Sequence, residues 1–168
     1  MRNTMSEQWR SYTNKKLHYA RLQLDAWEKA ESFEQDAFRE AFLMHANQAY
    51  CSMLAEILSP YGLNLPHLIT LEEACKLMSD REESVSELEQ LKQLEVSDSW
   101  LAHLQQAHSK LSVLNDDIQS SPSRINTVMI VSDGGESTAG VKSPESGRAL
   151  LGSLKDLVGH FRNFNLEW

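Results

Sequence analysis

Arg39 and His45 are separated by five residues, an Arg-x5-His pair inside one apolar-patterned stretch. A histidine there can take up and return a proton near neutral pH. An arginine can hold a phosphate through two parallel N–H bonds. Read for chemistry, the pair offers one group that moves protons and one that holds anions. The structural reading competes with this one. His45 sits among Phe42, Ala46 and Ala49, surroundings that favour a core or rim histidine with a hydrogen-bond partner.

Other chemistries find less to work with. None of His18, His45, His67, His103, His108 and His160 has a glutamate three residues before it. The Glu-x-x-His pairs of a di-iron bundle, which face one inner point, are therefore not formed, and there is no His-Glu-x-x-His. His103 and His108 are five positions apart and leave a helix on different sides. Neither a metal nor a cofactor is expected. Gly134-Gly135 lacks the lysine of a phosphate-binding loop, and no Gly-x-Ser-x-Gly elbow presents a nucleophile. Cys51 and Cys75 belong to no metal-binding spacing, and a buried, reduced thiol is expected for each.

The elements that would position these residues read as helices. Thr4 with Glu7 has capping-box spacing and opens a helix from about Met5 to Glu31, with Leu17, Ala20, Leu24 and Trp27 on one stripe. Ser32 with Gln35 repeats the spacing before a second helix over 33–58, which carries Phe38, Ala41, Phe42, His45, Ala49, Met53 and Ile57 and stops at Ser59-Pro60. Thr70 with Glu73 and Ser84 with Glu87 open two shorter helices. Ser97 or Asp98 is placed to cap a fifth, with Leu101, Leu104, His108 and Leu111. Leu150, Leu151, Leu154, Leu157, Val158 and Phe161 mark the last. The sum is an all-α, antiparallel bundle of five to six helices in a single domain over 1–168, with the first, second, fifth and last as pillars. Thr127–Val131 is the one β-like run. It reads either as a buried extended segment or short helix against the bundle, or as a strand that pairs with a partner chain. Residues 132–147, rich in glycine and serine, read as a mobile loop.

The formal charge is -8. Nine acids against three bases lie between Leu71 and Ser99, whereas the first 31 residues hold six bases and four acids. An acidic chain repels phosphate backbones, so nucleic acid is an unfavoured partner, although a small basic patch on the first helix remains open. The polar N-terminus has no apolar signal core, and no run has the length to span a membrane, so a cytoplasmic location is expected.

Two resemblances add to this. The Arg39–His45 spacing, on an amphipathic helix, is similar to that of helical ribonucleases of the HEPN superfamily, which implies RNA cleavage with His45 moving protons and Arg39 holding phosphate. Here Glu40 follows the arginine and the pair comes early in the chain, unlike that superfamily's pattern. Separately, WRSYTNKKLHYA (Trp9 to Ala20), REAFLMHANQAY (Arg39 to Tyr50), Trp100-Leu101 and the closing leucine-rich helix ending in Glu167-Trp168 resemble a family of helical proteins from proteobacteria, grouped only as a domain of unknown function. That resemblance implies a bacterial helical protein and carries no activity, cofactor or catalytic residue with it.

The favoured expectation is a non-enzymatic interaction or regulatory module, bound to an unidentified protein or to itself. Glu82, Glu83 and Glu87 would dock a basic partner, and Phe164 and Trp168 would anchor one. The alternatives are an RNase using Arg39 and His45, and a bundle that binds a small molecule in a pocket lined by Trp27, Phe42 and His45.

Overall fold

The computed structural model describes residues 4–113 and 140–164. Among them are six α-helices: α1 (Met5–Lys29), α2 (Gln35–Leu58), α3 (Leu71–Asp80), α4 (Ser86–Val96), α5 (Trp100–Ser109) and α6 (Pro144–Phe164). Short 3-10 turns follow α2 (Ser59–Tyr61) and α5 (Lys110–Ser112). No strand occurs among the described residues. The Thr127–Val131 segment, Trp168 and residues 132–139 of the expected loop lie outside them.

Two of the four expected capping boxes form. Thr4 N donates to Glu7 Oε2 (2.9 Å), and Glu7 N donates back to Thr4 Oγ1 (3.2 Å). Thr70 and Glu73 repeat this at 2.7 and 3.2 Å. The other two do not. At α2 the cap position falls to Glu34, and the Gln35 side-chain amide donates to Ala30 O. At α4 it falls to Val85, and Glu87 turns inward to accept from Ser86 Oγ. Ser99, rather than Ser97 or Asp98, caps α5 by accepting from Ala102 N (3.3 Å).

α6 begins at Pro144, inside the stretch read as a loop. Ser143 Oγ accepts from Ser146 N (3.2 Å), and Pro144 needs no acceptor in the first turn, so Ser-Pro here starts a helix. α5 also departs from expectation. It has 10 residues, against 25, 24 and 21 in α1, α2 and α6, so the pillars number three.

α1 and α2 form an antiparallel hairpin. Its rungs are Trp27 with Phe42, Tyr19 with His45, and Thr13 Oγ1 hydrogen-bonded to Ser52 Oγ at 2.8 Å. α1 buries a single stripe, Trp9, Thr13, Leu17, Ala20, Leu24 and Trp27. α2 is the axis of the fold, and every residue from Ala49 to Ala55 is buried. α6 lies across the inner groove of the hairpin, antiparallel to α1. Arg148 meets Glu28 at one end, and Arg162 meets Asn14 and Glu56 at the other. α5 packs on α2 through Gln105, which donates to Asn47 (3.1 Å). The α3–α4 pair closes the remaining side near the C-terminal half of α2, where the Tyr50 hydroxyl donates to Glu95 (2.8 Å).

Candidate functional site

The structure sends Arg39 and His45 to different neighbourhoods. Six positions along α2 amount to a rise of about 9 Å and a turn of about 120°. Arg39 Nε donates to Val141 O, at the entry to α6, with a 2.6 Å bond. Its Nε–H is given to a backbone carbonyl, which ties the side chain to the entry of α6. His45 points to the α1 side, edge-on to Tyr19 with ring centroids 5.4 Å apart. The two side chains do not converge on one phosphate.

The pocket expected from Trp27, Phe42 and His45 is also not assembled. Trp27 and Phe42 are buried against each other (6.2 Å between centroids) and against α6, whereas His45 is on the outer seam of the hairpin.

Glu82, Glu83 and Glu87 gather around the α3–α4 connection, each in a different state. Glu82 is exposed at φ 56, Glu83 is paired with Arg81 (3.2 Å), and Glu87 is buried. Arg81 also donates to Tyr61 O (3.0 Å), so the pair fastens this turn to the end of α2. Phe164 is 46% exposed at the end of α6, and its ring lies 6.5 Å from that of His160. Of the cysteines, Cys51 is buried, and burial pushes its thiol up to about 11. Cys75 is only partly buried and is also shifted upward by burial, which disfavours the reactive thiolate.

A more coherent cluster occupies the outer side of the α1–α2 seam, opposite α6. Lys16 Nζ lies 5.2 Å from the Tyr12 ring and 5.6 Å from that of Tyr19, and Lys15 Nζ lies 5.7 Å from Tyr19. Both ammonium groups are within range of cation–π attraction. Lys15, Tyr19, Leu22 and Ala26 follow helical spacing on the outward stripe of α1; Ala41, Met44 and Gln48 do so on α2. Tyr19, Leu22 and Met44 are 36%, 45% and 49% exposed. Beneath them His45 Nδ1 and Gln48 Oε1 are buried and lack hydrogen-bond partners. They are one helical turn apart on α2.

The family described as "Family of unknown function (DUF6586)" matches residues 5–168. The chain belongs to this family. No curated protein and no solved structure matches it. Among the described residues, no three His, Cys, Asp or Glu side chains gather to hold a metal ion, and no helix is long and apolar enough to cross a membrane.

The basic character of α1 was open from the charge count, but its outward placement was not. That placement follows from which stripe of α1 is buried, and it puts Lys15 and Lys16 beside a histidine from another helix. His45 is held below its ordinary value of 6.5, first by burial and then by the Lys16 charge. The folded ring thus binds its proton less tightly than the unfolded one. The stability this provides is present above about pH 6.5 and is lost as pH falls through the folded value. Replacing Lys16 by glutamine should raise the His45 pKa part of the way back, burial being the larger cause. An NMR titration of the His45 ring in both proteins checks this; an unmoved midpoint would show that the lysine does not act on the ring.

Proposed function

We propose that this DUF6586 chain is a cytoplasmic, non-enzymatic interaction module whose contact surface is the outer face of the α1–α2 hairpin. The observation that supports it best is the partial exposure of Tyr19, Leu22 and Met44 on the two longest helices, rimmed by Lys15 and Lys16. Aromatic and methionine side chains on a rigid helical face, with cations at the edge, have the composition of an interface centre and rim. The catalytic alternative has less support, because the Nε bond to Val141 O holds the Arg39 side chain on the α6 side, whereas His45 faces Tyr19 of α1.

The test is native mass spectrometry of tagged protein purified from its own host. Wild type should carry a partner at fixed stoichiometry, and a Leu22→Asp/Met44→Asp variant should lose it while keeping its thermal midpoint. Both residues are exposed, so the substitutions themselves cost little stability. A Glu82→Lys control should retain the partner. A variant that holds its partner as wild type does would place the contact elsewhere, and a bare wild-type chain would sink the stable-partner reading.

A further inference from the structure

The outward face of the hairpin also specifies the charge of what sits on it. From Gln8 to Leu24 the sequence has four bases and no acid, within a chain whose formal charge is -8. Among the described residues, Lys15 and Lys16 are in no ion pair; they are held over tyrosine rings at 5.2 to 5.7 Å. Beside them Leu22 and Met44 are about half exposed. Two antiparallel helices leave a shallow groove between them, and helices pack into such grooves. The opposite groove of this same hairpin already takes one, α6, whose arginine Arg148 pairs with Asp25 and Glu28 of α1. On the outer side the charges along the α1 edge are reversed, while Glu40 of α2 is exposed one turn before Met44, so a complementary helix sets its carboxylates along the α1 edge.

We infer that the outer face of α1–α2 binds an acidic amphipathic helix of a partner protein, with its apolar residues on Tyr19, Leu22 and Met44 and its carboxylates on Lys15 and Lys16. This rests on the reading of that face as the contact surface. A second copy of the chain docked through the same face fits less well, because an isologous contact sets this lysine-bearing face against an identical one. Nucleic acid fits less well because two lysines on a strongly acidic chain supply few phosphate contacts. The acidic helix uses short-range pairs at the rim of an apolar contact, which the charge of the whole chain opposes only weakly at physiological salt.

The experiment is an NMR titration of the full chain with a short Glu/Leu amphipathic helix, its Gln/Leu and Lys/Leu counterparts, and polyuridine RNA. The acidic helix should shift the amides of Tyr19, Leu22 and Met44 and bind about tenfold more tightly than the neutral one. Lys15→Gln/Lys16→Gln should erase that advantage, and added salt should weaken it. Equal or tighter binding of the neutral or basic helix on the same face would overturn the acidic assignment and leave the contact surface standing. Shifts confined to α3–α4, or no shifts with any helix, would overturn both. RNA binding more tightly than the acidic helix would replace the protein partner with nucleic acid.

Discussion

Replacing Gly147 by valine should destabilise the protein by about 3 kcal/mol, because α6 crosses α1 and α2 where no side chain fits. A Cβ at Gly147 would lie 2.9 Å from Leu24 Cδ1, 3.1 Å from Trp27 Cζ3 and 3.4 Å from Phe42 Cε1. Leu24 and Phe42 are completely buried, and Trp27 nearly so. The leucine methyl can shift somewhat, but the indole is pinned between Phe42 and α6. Alanine at 147 gains about 1 kcal/mol of helix propensity and loses a similar amount to the contact, so it should be near neutral. Valine adds two methyls with no space for either. Gly152 supplies the control on the same helix: apart from its chain neighbours and the local backbone of α6, no atom lies within 4 Å of its Cβ position. Gly152→Ala should therefore stabilise by about 1 kcal/mol. Urea unfolding of the variants measures all of this. A Gly147→Val midpoint close to wild type would mean that α6 packs less closely than described, and the fold's central crossing would need revision.

Much of this architecture was legible in the sequence, for reasons that differ by element. The capping boxes at Thr4 and Thr70 form because nothing else competes for those side chains. Ser32–Gln35 and Ser84–Glu87 have the same spacing and fail, because local packing takes their partners: Gln35 turns to Ala30 O, and Glu87 is drawn inward. The start of α6 was misread through composition. Glycine and serine weighed toward a loop, but Ser143-Pro144 is a cap followed by a first-turn proline, and Gly147 is small to let two helices approach. The longest apolar pattern did mark α2, but not its role as an axis buried on several sides. That role depends on contacts with α1, α5 and α6 that no local period records.

The site was less legible than the fold. Spacing along one helix made Arg39 and His45 look like a pair, and only the neighbouring helices show that each serves a different contact. The seam cluster joins Tyr12, Lys16 and Tyr19 with His45 and Gln48, residues on two helices with no fixed sequence separation. The signal that points to it is the absence of acids from Gln8 to Leu24, together with tyrosines spaced at seven residues, two helical turns.

At the other end of α6, Arg162→Ala should cost about 3 kcal/mol, because it leaves a carboxylate stranded between helices. The guanidinium holds three helices together. Nε and Nη2 donate to the two oxygens of Glu56 at 3.0 and 2.9 Å, Nη1 donates to Asn14 Oδ1 at 2.8 Å, and Nη2 also reaches Arg10 O at 3.4 Å. The Arg162 and Glu56 side chains are only 19% and 11% exposed, so water replaces few of the lost bonds. Lysine at 162 keeps the charge but has no planar fork, and it should recover less than half of the loss. The decisive comparison is a double variant, Arg162→Met with Glu56→Gln, which removes both charges together. It should be more stable than Arg162→Ala, since most of the single variant's cost is the unpaired Glu56 rather than the net worth of the pair. If the single variant lies within about 0.5 kcal/mol of wild type, the pair behaves as an exposed one. The end of α6, and with it Phe164, would then be held by Val158 and Phe161 alone.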